Sequence, residues 1–90
     1  MDSRQVALKR MAQKIANEWI GGLENQMNDS CPGEEDYECA KHDLEMSHET
    51  WVNWIVAEVK TNREAQKHLK FAGNQFLEEC VDEILKKMGY

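Results

Sequence analysis

Two sets of residues have types and spacings that occur in metal sites. Glu45 and His48 form an E-x-x-H motif, which presents a carboxylate and an imidazole to the metals in di-iron helical bundles. Such centres need two of these motifs, and this sequence has one. Cys31, Cys39 and His42 would supply three ligands to zinc, but the paired C-x-x-C spacing of many zinc sites is absent. We therefore predict no metal ion and no cofactor.

Nucleophilic catalysis has little basis in the remaining residues. Cys80 lies in the middle of an apolar helical stripe, where a thiol is usually an inert small hydrophobe. His68 lies off that stripe, and no nucleophile is spaced to pair with it. The chain also has no glycine-rich phosphate loop. We predict that the protein is not an enzyme and has no catalytic residues.

A group of carboxylates forms one stripe on a helical wheel: Glu35, Glu38, Glu45 and Glu49. At about 100° per residue they lie within about 80° of arc, opposite the apolar positions. Like charges at i,i+4 destabilise a helix, so an uncompensated stripe favours a role in electrostatic steering toward a basic partner. The alternative is the ordinary solvated face of an amphipathic helix.

The negative charge is concentrated in one segment of the chain. In total, 17 acidic and 11 basic residues give a net charge of −6. Residues 24–59 hold ten acids and one base, a sum of −9, whereas 1–23 sum to +2 and 60–90 sum to +1. Because negative charge repels phosphate, we expect no direct binding to nucleic acid or to an anionic membrane.

Helical periodicity runs through almost the whole chain and indicates an all-α fold. The predicted helices are 3–27, 34–60 and 62–88, with a loop at 28–33. Thr61 and Glu64 match a capping box, which predicts a turn between the second and third helices. We therefore predict an antiparallel three-helix bundle in one domain, residues 1–90. The alternative is that the second and third helices are continuous and that dimerisation covers their apolar face.

Composition and cysteine usage indicate a globular intracellular protein. The chain has 41% hydrophobic and 31% charged residues, which is typical of folded proteins. No apolar run approaches the ~20 residues that cross a membrane, and the N-terminal segment lacks the apolar core of a secretory signal. The three cysteines are irregularly spaced, which favours a reducing compartment. We predict a cytoplasmic location, in the host cell if the protein is virus-encoded.

Several apolar residues lie outside the main helical stripes and predict a second apolar surface. They are Val6, Ile20, Val56, Phe71, Val81 and Leu85, with Trp54 at the edge of its own stripe. Trp54 and Phe71 are candidate anchors, since aromatic residues dominate interface energetics. The alternative is that wide helical arcs bring several of these residues into the core.

Together these features predict a helical module that binds another protein. It would act as an inhibitor or adaptor, of the kind found among compact regulatory and virus-encoded proteins. It would dock on a basic surface of its partner, such as a surface that binds nucleic acid. The predicted partner-binding residues are Glu35, Glu38, Glu45, Glu49, Trp54 and Phe71. One alternative is a structural module that forms homo-oligomers such as a homodimer, and another is a metal-binding helical protein.

Overall fold

The computed structural model describes residues 2–90, and this part of the chain contains five α-helices. They are α1 (Ser3–Asn28), α2 (Glu35–Leu44), α3 (His48–Thr61), α4 (Arg63–Ala72) and α5 (Asn74–Met88). No strand occurs within residues 2–90. The all-α class is therefore confirmed. The predicted number of helices is wrong, because two of the three predicted helices are each divided.

α1 matches its predicted range almost completely and is the central helix. The Asp2 carboxylate accepts a hydrogen bond from the Arg4 backbone N–H at 2.8 Å. The Gln5 side chain accepts one from the Asp2 backbone N–H at 3.1 Å. This capping box satisfies backbone donors that a helix start leaves free. α1 packs against each of the other four helices, so it is buried on more than one side.

The predicted helix 34–60 is divided at residues 45–47. Ser47 begins α3, because its Oγ accepts a hydrogen bond from the Thr50 backbone N–H at 3.2 Å. Serine is favoured at this position since the bond satisfies a donor that the helix itself cannot. As a result, α3 runs against α1, α4 and α5, whereas α2 packs against α1 alone among the described helices.

The predicted turn near Thr61 is present, so the alternative of one continuous helix is wrong. The cap, however, is Asn62, whose Oδ1 accepts hydrogen bonds from the backbone N–H groups of Glu64 and Ala65 at 2.9 and 3.2 Å. The Thr61 hydroxyl instead donates to the Glu58 carbonyl at 2.7 Å. The predicted capping box therefore does not form, since the helix begins one residue later.

Gly73 divides the predicted helix 62–88. Its φ of 89° and ψ of 156° lie in a region that residues with a side chain rarely adopt. Its backbone N–H bonds to the Leu69 carbonyl at 2.8 Å and ends α4. The apolar periodicity continues across Gly73, so periodicity alone predicted one helix where the backbone makes two.

The core is built from α1, α3, α4 and α5. Four residues predicted outside the apolar stripes lie in this core: Ile20, Val56, Val81 and Leu85. The reason is that α1, α3 and α5 each contact several neighbours, so each buries a wider arc than one stripe. Trp54 and Phe71 stay 45% and 55% exposed. The second apolar surface is therefore smaller than predicted.

The molecule is elongated along α1. Its extents are 46 × 20 × 18 Å and its radius of gyration is 14.4 Å, compared with about 12 Å for a compact chain of this length. At about 1.5 Å per residue, α1 is about 39 Å long and accounts for most of the long dimension. Within the described residues, every helix is too short or too polar to cross a membrane.

Candidate functional site

An apolar cavity of about 490 Å³ opens between α1 and α3. It is lined by Trp19, Gly22 and Leu23 of α1, by Trp51 and Trp54 of α3, and by Asp43 near the end of α2. Concave sites with mostly apolar walls and a few polar groups are typical of binding sites. This cavity is therefore the strongest candidate for a contact surface on the molecule.

A second cavity of about 560 Å³ lies farther along the same two helices. Ile15 and Glu18 line it from α1, and Glu58 lines it from α3. Ile15 precedes Trp19 by one helical turn, and Glu58 follows Trp54 by one turn, so the two cavities are neighbours along the same pair of antiparallel helices. We call the two cavities together the α1/α3 crevice.

Trp54 is exposed but held by its aromatic neighbours. Its ring meets those of Trp19 and Trp51 edge to face, with centroids 6.3 and 6.0 Å apart. Trp51 in turn meets Tyr90, with centroids 6.4 Å apart. Each aromatic pair of this kind contributes about 0.5–1.5 kcal/mol beyond its buried area. The crevice thus presents an ordered aromatic surface to solvent.

The wall of the crevice also contains an unpaired hydrogen-bond donor. Trp51 is 1% exposed, and its Nε1–H has no hydrogen-bond partner among the described residues. An unpaired buried donor costs about 1–3 kcal/mol. Within residues 2–90 it is the one buried side-chain nitrogen or oxygen without a partner.

The four glutamates predicted to bind a partner are all exposed, but they do not lie on one helix. Glu35 and Glu38 are in α2, Glu45 follows α2, and Glu49 is in the first turn of α3. The predicted stripe is interrupted because the helix that would carry it ends before Glu45. Within residues 2–90, none of the four forms an ion pair. Glu38 accepts a hydrogen bond from the Gly33 backbone N–H at 3.3 Å.

Phe71, the other predicted apolar contact, lies away from the crevice. The Arg4 guanidinium carbon is 4.7 Å from the centre of its ring. The same surface is lined by Lys67, His68 and Lys70. Arg4 precedes Trp19 by 15 residues of α1, a distance of about 22 Å along the helix. The structure therefore does not bring Phe71 together with Trp54.

The residues with metal-binding and nucleophilic spacing are not assembled into a site. Within residues 2–90, no three His, Cys, Asp or Glu side chains are close enough to hold a metal ion. Cys31, Cys39 and His42 are exposed on the surface. Cys80 is buried, and burial raises the pKa of its thiol, which disfavours the reactive thiolate.

His48 makes two hydrogen bonds that its spacing from Glu45 does not indicate. Its Nε2 is 2.5 Å from Asp82 Oδ1, and its Nδ1 is 2.7 Å from the Tyr90 backbone oxygen. Because both oxygens only accept, the doubly protonated imidazolium satisfies them best. We call these three residues the His48 clamp. It ties the start of α3 to α5 and to the chain beyond α5.

The clamp shifts the ionisation of both its charged members. The hydrogen bond that His48 donates to Asp82, followed by the one that it donates to the Tyr90 carbonyl, raises the pKa of His48. The bond that Asp82 accepts from His48, followed by the bond from Lys86 at 3.0 Å, lowers the pKa of Asp82. The sequence contained no signal for this pairing, since His48 and Asp82 are 34 residues apart.

Two surfaces thus remain as candidates for binding: the α1/α3 crevice and the exposed glutamates of α2 and the start of α3. Comparison of the chain with family models, with curated proteins and with solved structures finds no match. Its function is therefore inferred from these surfaces.

Proposed function

We propose that this chain is a non-enzymatic module that binds another protein and acts as an inhibitor or adaptor. The observation that carries the proposal is Trp54, which is 45% exposed and held in an open apolar crevice. Ordered exposed aromatic residues in concave surfaces are typical centres of protein interfaces. Asp43 lines the end of this crevice, so the crevice adjoins the acidic helix α2.

The proposed partner is a protein with a basic surface, such as a surface that binds nucleic acid. We call Glu35, Glu38, Glu45 and Glu49 the acidic surface. Their carboxylates are exposed and form no ion pair within the described residues, so their field acts on an approaching protein. Such a field raises association rates. By occupying a basic groove, the module would compete with nucleic acid and so inhibit the partner. Phe71 is a proposed peripheral contact.

The test compares two double charge reversals with the same change in net charge. A partner is captured from the native host, and its association rate is measured against Glu38→Lys/Glu45→Lys and against Glu78→Lys/Glu79→Lys on α5. We expect the first variant to slow association about tenfold at low salt, because rim charges act mainly on the association rate. The second variant should have a much smaller effect.

The salt dependence of the same reaction provides an independent check. The screening length falls from about 10 Å at 0.1 M salt to about 3 Å at 1 M. The association rate of the unmodified protein should therefore fall as salt is raised. A rate that is unchanged between about 0.05 M and about 0.5 M salt, or two reversals with equal effects, would contradict the proposal.

A homo-oligomeric structural module is the second candidate function. It is favoured by one observation, namely that two large apolar side chains remain exposed, Trp54 and Phe71. Light scattering over a wide range of protein concentration tests it. We expect a growing mass with concentration if this candidate is correct, and a constant monomer mass would remove it.

A further inference from the structure

We infer that the α1/α3 crevice binds an amphipathic helix with basic flanks, supplied by the partner protein. This inference depends on the proposed function and specifies which kind of segment the partner inserts. It is carried by the shape of the crevice, by the open space at Gly22 and by the charges along its edges.

The shape of the crevice fits a helix. Ile15, Trp19 and Leu23 are half-buried and follow one another at four-residue intervals, so they form one apolar stripe along α1. Trp54 supplies the opposite wall from α3. The lining of α1 extends from Met11 to Gln26, a length of about 22 Å and about four helical turns. Helices that dock in such grooves present apolar residues at i, i+3, i+4 and i+7.

The α1 side of the crevice leaves space next to the helix backbone. Gly22 lines the apolar cavity, and a Cβ atom added there would meet no atom within 4 Å. No side chain of the described residues therefore fills this position. A docked helix can approach the α1 backbone closely at Gly22, as small residues permit at helix contacts.

The charges around the crevice select a basic occupant. Three carboxylates, Glu18, Glu58 and Glu64, line the cavity beyond Trp54, together with one base, Lys14. Asp43 adds a further carboxylate at the opposite end. None of these acids forms an ion pair within residues 2–90. A helix with Lys or Arg beside its apolar stripe would complement this surface, whereas an acidic helix would be repelled.

A second copy of this chain does not supply such a helix. Two of its helices have a net positive charge: α1, which already packs against each of the other four helices, and α4, which carries Arg63, Lys67 and Lys70. The apolar side of α4 is already used, since Ala65 is fully buried and Leu69 packs against the core. α4 would have to leave its own fold before it could dock on another copy.

The test uses three synthetic helical peptides of about 16 residues, enough to span the crevice. One has a leucine stripe with lysine flanks, the second has the same stripe with glutamate flanks, and the third has lysine flanks with the stripe scrambled. Binding is measured by calorimetry and mapped by amide chemical shifts. We expect the first peptide to bind at least tenfold more tightly than either control, with shifts concentrated on α1 and α3.

Matched variants locate the binding site. Trp54→Ala should weaken binding of the lysine-flanked peptide about tenfold, or about 1.4 kcal/mol. Tyr37→Ala removes a half-buried aromatic side chain of α2 that lines neither cavity of the crevice, and it should leave binding unchanged. Glu58→Lys changes only an exposed residue, so it tests the charge requirement even if Trp54→Ala fails to fold. It should weaken binding of the lysine-flanked peptide and strengthen that of the glutamate-flanked one.

Several outcomes would overturn the inference. They are equal affinity for the three peptides, equal effects of Trp54→Ala and Tyr37→Ala, shifts confined to α2 or α4, and self-association that Trp54→Ala abolishes. The proposed function is judged separately. Suppose that the lysine-flanked peptide binds no more tightly than the controls, while association of the captured partner still depends on Glu38 and Glu45. This inference is then wrong, and the proposed function is still supported.

Discussion

His48 couples the stability of the fold to pH. Its pKa is raised by the bond to Asp82, so its contribution is fully present below the unfolded value of about 6.5 and is lost as pH rises through the folded pKa. The pKa of Asp82 is lowered by the same bond. The contribution of Asp82 to the stability of the fold is present above about pH 3.9 and is lost as pH falls through its pKa in the folded protein. The His48 clamp is therefore complete between about pH 4 and about pH 6.5.

The measurement is the melting temperature of the protein and of His48→Gln from about pH 5 to about pH 9. We expect the unmodified protein to be more stable than the variant at pH 5.5 and to lose this advantage at alkaline pH. His42→Gln is the matched control, since His42 is exposed and makes no side-chain hydrogen bond within residues 2–90. A stability difference between protein and His48→Gln that is constant across this range would contradict the clamp.

For single residues, the sequence predicted which aromatic side chains are exposed better than it predicted which side chains bind each other. Trp54 and Phe71 lay at or beyond the edges of their apolar stripes, and both are exposed. Ile20 and Val56 also lay off the stripes and are buried, because periodicity describes one face of a helix and not the number of neighbours around it. The partner of His48 is set by where α3 and α5 meet, which local spacing does not contain.

At the scale of the helices, substitution of two glycines by alanine should change the stability of the fold in opposite directions. Gly21 lies within α1, and an added Cβ would meet nothing within 4 Å. Gly21→Ala should therefore raise the free energy of unfolding by about 0.4–1 kcal/mol. Gly73 has a φ of 89°, so Gly73→Ala should lower it by about 1–3 kcal/mol. Urea denaturation measures both, and two changes of the same sign would contradict this assignment of the helix boundaries.

Asn62 and Thr61 provide a second pair that tests a helix boundary. Asn62 caps α4 with two hydrogen bonds, so Asn62→Ala should lower the free energy of unfolding by about 1 kcal/mol. Thr61→Ala removes only a bond to a carbonyl at the end of α3 and should change it by less than about 0.5 kcal/mol. Chemical denaturation of both variants provides the comparison. A larger effect at Thr61 would indicate that the capping box read from the sequence forms after all.

The two missed helix boundaries share a physical cause. Ser47 and Gly73 both tolerate a helix locally, at a modest cost in propensity. The chain breaks at these residues because the breaks let α3 and α5 bury Trp51, Ile55 and Leu77 against α1. Such a gain exists only once the other helices are in place. The α1 boundaries and the all-α class, by contrast, follow from local periodicity and capping, and the sequence predicted both.

Across the whole molecule, α2 is the described helix with the fewest packing partners. It packs against α1 alone among the described helices, and its one fully buried residue is Ala40. α5, in comparison, buries five residues including Leu77 and Ile84. Since each large apolar side chain contributes about 1.5–3 kcal/mol when buried, α2 should open without the rest of the fold.

Native-state hydrogen exchange tests this expectation. Amides of α2 should exchange through a local opening that denaturant hardly affects, while amides of α1 and α5 should exchange through global unfolding. Equal protection in α2 and α5 would show that the five helices unfold as one unit. If the expectation holds, Glu35 and Glu38 are carried on the most mobile helix, which lets the acidic surface adjust to a partner while the crevice stays fixed.

The aromatic cluster also determines the intrinsic fluorescence of this protein. The chain contains three tryptophans, and all three line the apolar part of the crevice. Tyr90 is within 6.4 Å of one of them, close enough to pass its excitation energy to the indole. The tryptophan fluorescence of the whole chain is therefore the fluorescence of a single site, and the tryptophan emission of the unlabelled protein senses the polarity of the crevice.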